Sequence, residues 1–478
     1  MPSPRTAIRI ASSTRPSLHR QLLWPSLVAQ LIMVVGLLAS SGEAGAVPAF
    51  NRQTGQNCVA CHAGGQFPEL TPYGRLFKLT GYTIGTRDLP LSVMGVAGYT
   101  RTNHTGGADP SNFPKDAAAT FQGGSVFVAG KVTDNLGAFV QITYDNYAQQ
   151  NAAGEFVGHS GSDNMDFRYA DRLIDTKRDV IFGATLNNNP SVQDPWNSTP
   201  AWAYPYVQSS FQVAPSTDGP LLAGGLAQQA AGAGAYVFWN QTLYAELSLY
   251  QTANGVWSFM SKGTQNPDQT KLKGAAPYWR IALSHDWGPH SAMAGVFGLN
   301  ARVYPDNEDP TGETSRYNDV GIDAQYQYLL DPHSVTVAAS YIHEKTTWAS
   351  PLVDEAAVSN ASDTLYQFKI KGSYVYNAHY GASLTYFRVG GSTDTLLYGG
   401  GVDDSGVPLG SPVSGNVAGA PSTSGTIAEI FWTPVQWVRV GAQYWAYNRF
   451  NGASGNYDGF GRNARDNNTL FVYVWGAY

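Results

Sequence analysis

The chain has almost no cysteine, little charge and no long apolar run after its first forty residues. Only Cys58 and Cys61 occur among 478 residues, too few for a disulfide framework. Charged residues make up 13% and the formal net charge is −6, so the basic patch that a nucleic-acid partner requires is missing. No segment beyond residue 46 holds 18 consecutive apolar residues, which excludes a later transmembrane helix. Aromatic residues, at 13%, and the 52 glycines are plentiful, a balance unlike that of an ordinary secreted globule.

The first 46 residues read as a secretory signal. Arg5, Arg9, Arg15 and Arg20 form a basic region, Leu27 to Leu38 is apolar, and "EAGA" at 43–46 offers cleavage after Ala46. The apolar run is shorter than the roughly 20 residues of a membrane anchor. A mature chain beginning at Val47 and leaving the cytoplasm is expected.

Both cysteines lie in "FNRQTGQNCVACHAGGQFPELTPYGRLFKLTGYT", residues 50–83. A thioredoxin-like redox pair calls for alternating strands and helices nearby, and none is evident. Zinc calls for four ligands, and only His62 lies close enough in sequence to join the cysteines. Cys-x-x-Cys-His is the attachment motif of a c-type haem, with Cys58 and Cys61 as thioether positions and His62 as the proximal iron ligand. One covalent haem c is therefore expected. The segment 47–88 is too small to build a stable core by itself, so something else must complete the pocket.

From Leu89 to Tyr478 the pattern is that of an all-β, sixteen-stranded antiparallel transmembrane barrel. Segments of about ten residues alternate apolar with polar or small side chains. Candidate strands are 89–101, 121–132, 135–147, 164–175, 178–186, 231–240, 242–252 and 277–287, then 290–301, 316–329, 333–344, 363–376, 379–390, 424–433, 436–448 and 468–478. Short turns such as "DPH" at 331–333 alternate with long links such as 148–163 and 187–230, as in an outer-membrane barrel with its short turns in the periplasm. In the last strand Leu470, Val472, Val474 and Tyr478 share one face. The rival is a soluble β-sandwich, against which the strand number and the aromatics Trp432, Trp437 and Trp475 near strand ends weigh. The long link "TLNNNPSVQDPWNSTPAWAYPY" (185–206) reads as a loop folding back to narrow the barrel mouth, its prolines and asparagines suiting irregular backbone; a redox role for Trp196 or Trp202 has no support.

The haem stretch and the 185–206 stretch together resemble the fused monohaem c-type cytochrome–porins, outer-membrane iron oxidases of iron-oxidising bacteria. The likeness covers the organisation of the whole mature chain and is specific only in those two stretches. It implies an N-terminal cytochrome segment at or in the lumen of the barrel. It also implies that electrons from extracellular Fe(II) reach a periplasmic c-type cytochrome or other carrier. One haem carries the single electron that Fe(II) gives up. Electron export to an external acceptor, and a diffusion porin with a haem-bearing plug, are the alternatives; a plug alone needs no covalent haem.

Strand parity supplies a distal ligand candidate. Leu89, Leu91, Val93 and Tyr99 share the lipid row, which turns Ser92, Met94, Val96 and Gly98 inward. Met165 and Met293 read as lipid-facing and Met260 as a loop residue, leaving Met94 as the luminal methionine. Plain lumen packing explains Met94 equally well. His379 at the periplasmic rim and His104 in the first outer loop are the alternatives. His159 is placed in a second outer loop. Arg52, Arg75 and Lys78 flank the haem motif as candidate propionate partners or as simple surface cations. Asp306, Glu308, Asp309, Asp403 and Asp404 are hard oxygen donors of the type Fe(II) accepts, with solvated loop charge as the default.

Overall fold

The computed structural model describes residues 48–65, 68–105, 116–150, 156–202, 205–217, 219–262, 269–399 and 410–478; the signal stretch 1–46 and Asp403 and Asp404 lie outside them. Sixteen antiparallel strands close into one barrel. They are β1 (Leu91–Thr102), β2 (Ala118–Lys131), β3 (Leu136–Gln150), β4 (Phe156–Ile174), β5 (Asp179–Asn187), β6 (Ala230–Trp239), β7 (Leu243–Thr252) and β8 (Ala276–Trp287). The rest are β9 (His290–Val303), β10 (Ser315–Leu330), β11 (His333–Thr347), β12 (Ser362–Tyr376), β13 (Tyr380–Gly391), β14 (Thr423–Val435), β15 (Val438–Arg449) and β16 (Thr469–Ala477). Closure comes from β1 pairing β16, with Met94 opposite Ala477 and Thr102 opposite Thr469. A closed sheet leaves no unpaired edge, the condition for strands to cross lipid. Among the described residues no helix is long and apolar enough to cross a membrane.

The alternation seen in sequence sorts side chains between two faces. Leu91, Val93, Leu247, Leu249, Ile281, Leu283, Val320 and Ile322 are exposed on the outer face. Leu470, Val472 and Tyr478 are exposed outward on the last strand, while Phe471, Tyr473 and Trp475 are buried inside. Every even-numbered strand up to β14 is followed by a short turn at one end of the barrel, and most links at the other end are long. The exception is the link between β3 and β4, where strands ending at Gln150 and starting at Phe156 take up most of the expected long link 148–163.

Two sequence expectations need correction. Met293 faces the lumen, packed with Leu79, Trp196, Tyr236 and Tyr244, because this lumen is filled and so has apolar rows of its own. Its row mates Phe297 and Leu299 likewise turn inward, onto Leu222 and Leu226. Second, β4 begins at Phe156, so His159 lies on a strand opposite Asp145. The pairing of β3 with β4 shifts register at Val140/Ile142 and Asp145/Gln149, which erases the two-residue period there. Met165 does belong to the outward row, but it is buried beneath Met260 and Trp257 of the link after β7.

Candidate functional site

The residues ahead of β1 form three short helices inside the turn end of the barrel: α1 (Pro48–Thr54), α2 (Cys58–Cys61) and α3 (Pro72–Leu79). α3 starts where sequence rules place it. Thr71 caps it by accepting from the Gly74 N–H at 3.1 Å, and Pro72 follows in the first turn. α3 lies directly on α2. A Cβ at Gly74 would overlap the Cys61 carbonyl oxygen, so only glycine allows this approach.

The segment is fastened to the wall all the way round. Ala49 N–H donates to Ser92 Oγ on β1 at 2.8 Å. Gln53 Oε1 accepts from the Lys131 N–H at 2.8 Å. Gln436, between β14 and β15, accepts from the Cys58 N–H at 3.2 Å. Tyr236 of β6 donates to the Leu79 carbonyl at 2.6 Å, and Lys371 of β12 pairs with Glu69.

Cys58, Cys61, His62 and Met94 line one cleft with about 930 Å³ of empty space, part of it open to solvent. Its walls are largely apolar: Phe50, Phe77, Phe127, Phe139, Trp202 and Trp475 all contribute. Phe50 meets Phe77 at 4.9 Å and Tyr82 at 5.4 Å between ring centroids. Neither cysteine is in a disulfide. Burial, with Cys58 beside it, pushes the Cys61 thiol up to about 11, away from the thiolate that zinc or a nucleophile needs. Burial lowers His62 to about 4, against the opposing pull of Glu69, so the imidazole is neutral near pH 7, the ligating form. Its Nδ1 is buried with no hydrogen-bond partner. Two cysteines outside any disulfide, a neutral histidine, a thioether and an apolar wall facing one space fit a c-type haem.

The other predicted residues are dispersed. Of the candidate propionate partners only Lys78 lines the cleft, and its ammonium already donates to Val192 O (2.7 Å), Asp194 O (2.7 Å) and Asn197 Oδ1 (2.8 Å). Arg75 is turned to the opposite wall, bonded to Asp286 (2.8 Å), Ser291 (2.8 Å) and Gln327 (3.1 Å). Arg52 donates to the Leu89 and Leu91 carbonyls. His379 does not line the cleft; its Nδ1 contacts the Thr433 carbonyl. His104 follows the far end of β1, ten residues beyond Met94 and so on the order of 33 Å along the strand. Asp306 caps its own turn, accepting from the Glu308 and Asp309 N–H groups. No group of three or more metal-ligating side chains occurs among the described residues.

The 185–206 stretch goes further than a mouth constriction. It drops into the lumen, where Val192, Asp194 and Trp196 are fully buried and Trp202 sits 6.3 Å from Phe139 and under the Lys78 ammonium at 4.4 Å. Two buried ion clusters hold it, and sequence reading missed both. Arg168 binds Asp166 (2.6 Å), the Lys78 carbonyl (3.1 Å) and the Gln193 carbonyl (2.9 Å). Arg280 binds Asp323 (2.9 Å) and Asp194 (3.4 Å). The available signal was Asp166 and Arg168 two apart in one strand row, opposite charges on a face that alternation assigns to the lumen.

No family model and no curated protein matches the chain. Solved structures that are similar in form include the outer membrane channel DcaP of Acinetobacter baumannii, 14% identical over 81% of this chain and 96% of that one, TM-score 0.43. OprB of Pseudomonas putida is 12% identical over 82% and 94%, TM-score 0.45. The anion-selective porin of Comamonas acidovorans is 9% identical over 81% and 99%, TM-score 0.42.

Proposed function

We propose that this porin-like barrel sits in the bacterial outer membrane and moves single electrons from extracellular Fe(II), its substrate, to a periplasmic c-type cytochrome or other carrier. The observation that carries the reading is that Cys58, Cys61, His62 and Met94 share one apolar cleft inside the barrel. A covalent haem c supplies a one-electron couple there. Cys58 and Cys61 provide the two thioether positions, four residues of α2 setting their spacing. His62 offers a neutral ring nitrogen. Met94 offers a soft sulfur from the wall, a ligand that favours reduced iron and raises the potential. Phe50, Phe77, Phe139 and Trp202 give the cleft an apolar wall, and Lys78 ties it to the inserted link.

The architecture supports an orientation with short turns and the N-terminal segment on the periplasmic side, long links outside and the exposed apolar rows in lipid. The chain resembles the fused monohaem cytochrome–porins in the residues of both functional stretches. Anaerobic mixing of the oxidised, detergent-purified protein with Fe(II) tests the reading; the reduced haem spectrum is expected, and an unchanged spectrum overturns it. Electron export uses the same cleft in reverse, and reduction of an external acceptor by the dithionite-reduced protein distinguishes it. A diffusion channel plugged by the same segment is the second reading. It is favoured by the contacts that seat residues 48–88 around the whole wall, and planar-bilayer conductance comparable to an open porin would select it.

A further inference from the structure

On β10 and β11, well away from the cleft, Asp319 and Glu344 stand directly opposite one another. Both point into the lumen and both are buried, at 2% and 4% exposure. Like charges in directly opposed strand positions repel at close range, and buried charges are ordinarily paired or bound to metal. Here no ion pair to either carboxylate occurs among the described residues, whereas Asp166, Asp323 and Glu429 each have an arginine, and Glu246 and Asp363, also without a cation, are each held by three neutral side-chain donors.

The two groups are placed rather than loose. Asp319 Oδ2 accepts from the Leu222 N–H at 2.7 Å and Glu344 Oε2 from the Leu221 N–H at 2.6 Å. Glu344 Oε1 accepts from Thr346 Oγ1 at 3.0 Å. Asp319 Oδ1 is buried and accepts no hydrogen bond. Two N–H donors on one turn neutralise no net charge. Glu344 also lines a hollow of about 990 Å³ that opens beside Tyr317, Thr346, Trp348 and Asp363, giving a path to solvent and room for water ligands.

We infer that Asp319 and Glu344 bind one hard divalent cation, with Asp319 Oδ1 and a Glu344 oxygen as protein ligands and water from the hollow completing the shell. Carboxylate and water are the donor set for magnesium, calcium, manganese and ferrous ions. The site depends on the carboxylate pair alone, so it stands or falls separately from the haem reading.

Mn(II) is the probe, titrated into the whole detergent-solubilised protein and followed by loss of its free-ion resonance. One site is expected in wild type, weakened at least tenfold in Asp319→Asn and in Glu344→Gln. The site is expected to persist in Cys58→Ser/Cys61→Ser, which removes both proposed haem attachment points, and in Asp306→Asn, which removes the exposed loop carboxylate. Circular dichroism and heat-modifiable migration establish that each variant is a folded barrel. Absence of a wild-type site, or undiminished binding in a folded Asp319→Asn/Glu344→Gln double variant, overturns the inference and leaves a proton shared between the two carboxyls.

Discussion

The two sides of the filled lumen are built on opposite principles. Toward β4–β10 the contents are locked by ions: Arg75, Lys78, Arg168 and Arg280 each bind several fixed acceptors. Toward β16, β1, β2 and β3 no buried ion pair holds the contents; a few neutral hydrogen bonds such as Ala49 to Ser92 anchor them, the rest of the contact is rings and a thioether, and a cleft is left. Helix α3 carries both characters on one turn, with Phe77 to the cleft and Lys78 reaching into the inserted link. Directional bonds fix a position, whereas nondirectional apolar contact leaves space for a flat apolar group. The lesson is a division of labour: one wall positions, the other receives.

The largest expected effect comes from removing the receiving side's chemistry. The double variant Cys58→Ser/Cys61→Ser is expected to abolish haem staining after denaturation and reduce Fe(II)-driven reduction to background, while the barrel keeps its heat-modifiable migration. A protein still reduced at the wild-type rate would falsify the assignment of the motif.

Next is the positioning side. Arg280→Met leaves Asp194 and Asp323 buried without their cation, a loss of about 3–5 kcal/mol in comparable buried pairs. Because the strands remain paired, the damage is expected in the inserted link: faster proteolysis within 188–229 and larger single-channel conductance. Unchanged proteolysis and conductance would mean that the ions do not hold the link.

Gly74→Ala probes the seam between the two sides. The new methyl collides with the Cys61 carbonyl, and overpacking of this kind costs about 1–3 kcal/mol. A reduced fraction of haem-loaded protein is expected at unchanged barrel yield; full loading would show that α3 can lift away from α2 without consequence.

Met94→Leu is the mildest change. It keeps the volume, so less than about 1.5 kcal/mol of stability is at stake. The sulfur-to-iron charge-transfer band is expected to vanish and the reduction potential to fall. A band that persists in the variant assigns the sulfur elsewhere, and Met293, the other luminal methionine, stands beside Leu79 rather than in the cleft.

Alternation over sixteen segments and most of the alternating link lengths were legible in sequence because each is a local property; the Cys-x-x-Cys-His motif is local too, and the haem it suggests is a proposal. A strand's two faces follow from its pleat, and three residues at fixed spacing define the motif. The inward row of β1 was legible for the same reason: Ser92 and Met94 face the lumen. Met293 was not, because parity gives two faces but not which is inside, and the usual clue, a polar lumen, fails where Leu222 and Leu226 fill it. Arg52, Arg75 and Lys78 lie close to the motif in sequence, yet helix direction sends Arg75 to β8–β10 and Lys78 to the inserted link.

By itself, then, the sequence determined the class of barrel and the order of its strands, and it carries the Cys-x-x-Cys-His spacing on which the haem proposal rests. Those depend on composition, period and spacing, which no packing can alter. Only the tertiary structure decided that the 188–229 link falls inward, that Trp202 joins the cleft wall and that Asp319 meets Glu344. Each of these depends on a contact between residues far apart in the chain, fixed by strand register and barrel closure rather than by any local preference.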